Sequence, residues 1–151
     1  MFRLIKSRTN KAGLPPGTVI YVGKQKARKT RIQLIDYDET HIEEKEIRQI
    51  EEAFEYADAP RVTWINIDGL EKVDVIEKIG KHFQLHPLVL EDIANTEQRP
   101  KMEDYTEYLY IVLKMLRYDE KESEILTEQI SLVFKAWINL LKTNCKCLDF
   151  L

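Results

Sequence analysis

The sequence predicts an α/β protein: a mixed parallel and antiparallel sheet with helices packed on it in α/β/α layers. Three observations lead there. Residues 108–116, Tyr-Leu-Tyr-Ile-Val-Leu-Lys-Met-Leu, are apolar at nearly every position, the pattern of a strand buried on both faces and therefore a central one. Val73, Ile76, Ile79 and Phe83 recur at spacings of three and four, which places one apolar stripe on a helix that faces the sheet. Hairpin-like connections alternate with helical crossovers along the chain, an order that mixes the two kinds of strand pairing. The chain of 151 residues suits a single domain, large enough to bury about two-thirds of the surface its unfolded form exposes.

The elements follow in order. Residues 1–17 are basic and turn-rich, and Pro15-Pro16-Gly17 keeps them out of helix until a first strand at 18–22. A lysine-rich loop leads to a second strand at 30–36, weighted by Ile32, Leu34 and Ile35, and the two strands pair as a hairpin. Residues 40–56 are ambiguous in period: Ile42, Ile47 and Ile50 fit a helix, and 41–47 fit an edge strand before a helix from Ile50 equally well. A strand at 63–67 precedes the helix that carries Val73 to Phe83. Pro87 suits the first position of the next helix, where its missing N–H has no intrahelical partner, and Pro100 bars any continuation of that segment. After the strand at 108–116 come a charged hairpin loop at 118–127 and a strand at 130–134. No internal repeat and no low-complexity linker is present.

Charge and composition exclude several classes. The 23 basic and 26 acidic residues give a net charge of −3, no global attraction toward nucleic acid or anionic lipid. No apolar run approaches the roughly 20 residues that span a bilayer, and the first residues lack a secretory h-region. Cys145 and Cys147 are the only cysteines, too few for a disulfide framework, which points to a reducing interior.

The chemistry-bearing feature is the adjacent pair Glu91-Asp92, near the end of the helix opened by Pro87. Carboxylate oxygens are hard ligands of the kind magnesium and calcium take, and side-by-side negative charges are costly unless a cation or basic group faces them. Two solvated acids ending a surface helix are the plainer account. His82 and His86 stand four apart, yet the residue before a proline is pushed out of the α region, so His86 falls beyond the helix carrying His82 and a paired imidazole site does not form. Cys145-Lys146-Cys147 lacks a second ligand pair for zinc. No phosphate-cradling glycine loop, nucleophile elbow or positioned His partner marks an enzyme. Trp64 and Tyr110 lie on expected strands and read as core. The basic run Lys24, Lys26, Arg28, Lys29 and Arg31 makes a small nucleic-acid-binding module the alternative reading. No stacking aromatics interleave with it, so a lysine-solubilised loop accounts for it and no nucleic acid is expected.

The stretch His86-Pro87-Leu88-Val89-Leu90-Glu91-Asp92-Ile93, with Gln98-Arg99-Pro100-Lys101 downstream, resembles the cytoplasmic domain of the CorA family of magnesium and cobalt transporters. Gly13-Leu14-Pro15-Pro16-Gly17-Thr18, Thr63-Trp64-Ile65-Asn66-Ile67, Tyr110-Ile111-Val112-Leu113-Lys114-Met115 and Glu128-Gln129-Ile130-Ser131-Leu132-Val133 agree in order, so the resemblance covers about residues 11–135.

The resemblance implies strand then helix over 40–56, a CorA-like N-terminal cytoplasmic domain at 1–135, and a divergent, flexible tail at 136–151. It implies that the family's stalk and transmembrane helices are missing, so that this soluble, non-enzymatic chain senses divalent cations but does not transport them alone. It further implies that Glu91 and Asp92 contact regulatory Mg2+ or Co2+ at a boundary between neighbouring subunits of a homopentamer on the cytoplasmic side of the cell membrane. The family's membrane contact is made only through the missing C-terminal helices. With partner carboxylates absent, that ion binding is expected to be weak.

Overall fold

The structure, a computed structural model, describes residues 13–23, 29–57, 60–70, 72–136 and 138–143. Its strands are β1 (Arg31–Tyr37), β2 (Ile42–Ile47), β3 (Val62–Asp68), β4 (Lys101–Asp104), β5 (Leu109–Asp119), β6 (Glu124–Lys135) and β7 (Ile138–Thr143). The helices are α1 (Glu51–Phe54), α2 (Asp74–Phe83) and α3 (Pro87–Ala94). The seven strands form one sheet in the order β2-β1-β3-β7-β6-β5-β4. β3 and β7 run parallel, and every other neighbouring pair is antiparallel.

Period-two alternation selects the core face. Ile32 and Leu34 of β1 stand opposite Ile67 and Ile65 of β3, and Tyr110 and Val112 of β5 continue the same face with Val133 of β6. The stripe Val75, Ile76, Ile79 and Phe83 of α2 and Val89, Leu90 and Ile93 of α3 close on it, forming one cluster. All three helices contribute to this cluster. On the other face Ile35, Trp64, Ile111, Leu132 and Phe134 are only half-buried, with Trp64 and Phe134 meeting edge to face at 6.0 Å. Among the described residues the architecture is therefore two layers, where α/β/α layering was the expectation.

Strands at 63–67 and 130–134, the edge strand at 41–47 followed by helix, and the helices carrying Val73 to Phe83 and opened by Pro87 all appear where the sequence puts them. Four expectations are corrected. Residues 18–22 form no strand of the sheet and no hairpin with β1. Val22 instead donates to the Ala94 carbonyl at 3.0 Å and accepts from the Thr96 N–H at 2.8 Å, so its backbone groups are satisfied at the end of α3, while β1 pairs with β2 and β3.

β5 is not central: β4 covers it only from Leu109 to Val112, and beyond that it pairs with β6 alone, leaving Leu113 44% and Leu116 66% exposed. Two-sided burial needs a layer on each face of the sheet, and Leu113 lies on the face that no described helix covers. The hairpin loop shrinks to 120–123, because the ladder runs on to Asp119 opposite Glu124 and Ser123 takes the left-handed conformation at φ 50°. The tail expected from 136 onward supplies β7, whose backbone at 138–143 fills the slot between β3 and β6 and gives both a pairing partner. Residues 144–151, with both cysteines, lie outside the described residues, as do Lys24, Lys26 and Arg28.

α2 and α3 touch closely because Gly80 has no side chain. A Cβ there overlaps the Leu90 side chain, itself buried. Ala is a better helix former than Gly by about 1 kcal/mol. The overlap outweighs this, so Gly80→Ala lowers unfolding free energy by about 1–3 kcal/mol in urea denaturation. A gain in stability would show that Leu90 repacks freely.

Candidate functional site

Helix α3 is started by a local device. His86 is extended at φ −62° and ψ 136°, its Nδ1 accepts the Leu88 N–H at 3.2 Å, and Pro87 takes the first helical position. The His86 N–H donates to the Tyr108 hydroxyl at 2.9 Å, fixing this helix start against the sheet. His82 belongs to α2 and stacks on Phe54 with ring centroids 3.8 Å apart. The two imidazoles thus do separate jobs. Among the described residues no group of three or more His, Cys, Asp or Glu side chains is gathered to hold a metal.

In the last turn of α3, successive positions about 100° apart send Glu91 and Asp92 to different partners. Glu91 Oε2 accepts the Gly17 N–H at 2.8 Å. Gly17 is in the left-handed region at φ 82°, and a Cβ on it would stand 2.8 Å from Pro87 Cβ, so both the turn and the close approach require glycine. Asp92 Oδ2 accepts from Lys101 Nζ at 2.6 Å, and Oδ1 accepts from the Gln98 side-chain amide. The same ammonium reaches Glu103 Oε1 at 2.8 Å and lies 5.5 Å from the centroid of the Tyr110 ring. Tyr105 donates to the other Glu103 oxygen at 3.2 Å. The Asp92 side chain is 17% exposed and that of Lys101 28%.

The ionisation of this group follows from those contacts. Burial opposes the Lys101 ammonium, but the hydrogen bonds it donates to Asp92 and Glu103 prevail and leave its pKa above the usual lysine value. The Lys101 bond holds the Glu103 carboxyl below the ordinary range. Burial pushes the Tyr110 hydroxyl up, so it stays neutral.

A second polar centre fixes the loop between α3 and β4. Gln129 of β6 is 2% exposed. Its Nε2 donates to the Asn95 carbonyl at 2.9 Å, and its Oε1 accepts from the Gln98 N–H and from Lys114 Nζ, each at 3.1 Å. Lys114 Nζ also donates to the Thr96 carbonyl at 3.0 Å. Segments far apart in sequence, 92–101, 114 and 129, meet here. Sequence reasoning assigned no role to Gln98, Lys101, Lys114 or Gln129. The available signal was Gln129 in the inward-facing alternation of Ser131 and Val133, since a polar side chain on a buried face must find partners.

Of the remaining candidates, Arg31 and Trp64 lie apart from this site, and Tyr110 lies beside Lys101. Arg31, at the end of the basic run, pairs with Glu46 at 3.2 Å on the surface. Tyr110 is core as expected, whereas Trp64 lies on the open face of the sheet.

The sequence profile described as CorA-like Mg2+ transporter protein matches residues 60–138. The chain is 41% identical over 128 residues to the cobalt/magnesium transport protein CorA of Thermotoga maritima, an alignment covering 85% of this chain and 36% of that protein. The chain thus spans about a third of the length of this relative, at 36%. The full-length CmaX protein has the same fold, with a TM-score of 0.61 at 12% identity over 80% of this chain and 37% of that one. The soluble domain of CorA from Methanocaldococcus jannaschii superposes with a TM-score of 0.49 at 15% identity, over 72% of this chain and 39% of the other.

Gln129→Leu removes the buried partner of the Gln98 N–H and the Asn95 carbonyl in the half-buried loop, and we expect a loss of about 1–3 kcal/mol in denaturant unfolding. A change below about 0.5 kcal/mol would remove Gln129 from the account. Because Lys101 lowers the folded-state pKa of Glu103, the associated stability is present above the unfolded carboxylate value of about 4.3 and is lost as pH falls through the folded value. Glu103→Gln should therefore shallow the decline of the melting temperature on acidification below about pH 4. An unchanged acid limb would contradict this.

Proposed function

This chain belongs to the CorA family of magnesium and cobalt transport proteins, and from that membership we propose that it is a divalent-cation-sensing domain in which Glu91 and Asp92 contact the ion. The observation that carries the reading is the pair itself: two hard carboxylates on adjacent positions of the last turn of α3, both only part-buried. The chemistry of the donors fits magnesium or cobalt. Each carboxylate oxygen has more than one acceptor direction, so those already bonded to Gly17, Gln98 and Lys101 keep capacity toward an ion.

Two side chains do not complete an octahedral shell. The remaining ligands are water and carboxylates of a neighbouring subunit in a pentameric transporter, and a cation shared across that boundary favours the associated arrangement, as linkage requires. An isolated domain binds weakly for the same reason. No helix among the described residues is long and apolar enough to cross a membrane, so conduction is not assigned to the described part. The domain sits on the cytoplasmic side in this reading and performs no catalysis.

Titration with MgCl2 followed by backbone amide shifts should give a saturable response centred on residues 91 and 92, with a midpoint on the order of millimolar. Glu91→Gln and Asp92→Asn should each weaken it while the rest of the spectrum persists. A response centred on His82 or His86 and indifferent to both substitutions would refute the assignment.

A further inference from the structure

Given the proposed role of Asp92 as an ion contact, on which this rests, we infer that Lys101 is the resident cation of the Asp92 seat and sets how weakly the domain binds divalent ions. The ammonium stands where a cation belongs. It bonds Asp92 Oδ2 at 2.6 Å and Glu103 Oε1 at 2.8 Å, with the face of the Tyr110 ring 5.5 Å away. Its position is not accidental to a mobile chain. Lys101 is the first residue of β4, follows Pro100 directly, and is paired in register with Val112, so its stem leaves the backbone at a fixed point on the core side of the sheet.

A divalent ion approaching Asp92 meets this charge. Coordination to a carboxylate oxygen requires a separation of about 2.1 Å, which sets the ion beside the ammonium, and like charges there repel. The ion must share the carboxylate or move the lysine. Glu103 provides the place to move to: on the same face two residues along, already bonded to Nζ, and held by Tyr105 through its other oxygen. Lys101 then exchanges a bridge between two carboxylates for a pair with one, and the free Asp92 oxygen goes to the ion. The lysine thus tunes affinity without being a ligand.

The experiment compares magnesium titrations of the wild-type chain, Lys101→Met, Lys101→Arg, Glu103→Gln and Asp92→Asn, read by amide shifts near residue 92 and by the Lys101 side-chain signals. Met keeps the stem and removes the charge, and its midpoint should fall about tenfold, since a like charge at the site is gone. Lys101→Arg should stay near wild type. Glu103→Gln removes the second perch and should raise the midpoint several-fold, an arm that decides the matter if Lys101→Met does not fold. In the wild-type chain the Lys101 side-chain signals should move with the same midpoint. A folded Lys101→Met with an unchanged or weaker midpoint, or an unaltered Glu103→Gln, overturns the role of Lys101. If Asp92→Asn abolishes the response in the same series, the ion-contact reading survives that failure. If Asp92→Asn leaves the wild-type response intact, both fall.

Discussion

A neutral amide inside an apolar layer governs this structure. Gln129 projects from β6 into the face that Val133 and Tyr110 make hydrophobic, where an unpaired amide is expensive. Its cost is offset only if the loop from Asn95 to Gln98 lies over it and offers a carbonyl and an N–H at the right places. The loop is held besides by the bridge to Val22, by the Glu97 N–H donating to Asn95 Oδ1 and by the Gln98 side chain on Asp92. Amide and loop therefore specify each other, and Lys114 joins them by donating to both. A fully satisfied buried network of this kind rigidifies what it touches.

What it touches is the C-terminal end of α3 and the approach to β4. With the loop fixed, Gln98 and Lys101 arrive on Asp92 from one side while Gly17 arrives on Glu91 from another. The carboxylate pair is thus oriented by separate tethers on each member. Its two acids have been given different surroundings: Asp92 faces an ammonium and an amide, Glu91 a backbone N–H in a glycine turn. Both carboxylates are held in place by these contacts, and the Lys101 ammonium already faces Asp92. In the proposed reading that combination suits a sensor that responds to abundant ions and ignores traces of them.

Much of this fold was legible because periodicity reports burial directly. The stripe Val73 to Phe83, the strand around Ile65 and the proline start of α3 needed only one-dimensional patterns. The failures share a cause, which is that pairing partners are three-dimensional. Residues 18–22 have strand composition yet Val22 bonds to the end of α3, and 113–116 close the apolar run yet lack a second neighbour. Residues 138–143 were set aside as a departure from the family, although their backbone is what joins the β1–β3 half of the sheet to the β5–β6 half. At the site, Glu91 and Asp92 were visible as a pair of acids. Lys101 and Gln129 appeared only as family wording, because nothing in the linear spacing says that positions 9 and 37 residues from Asp92 meet beside it.

The central claim is that the carboxylates closing α3 are where a divalent ion meets this domain. The most direct measurement is a crystal structure grown in tens of millimolar cobalt, with anomalous data collected at the metal edge. The account predicts an anomalous peak bonded to an oxygen of Asp92 or Glu91 directly or through one water, with Lys101 Nζ displaced toward Glu103. A peak at His82 or His86, with Asp92 still bound to Lys101 and no density beside either acid, would contradict it.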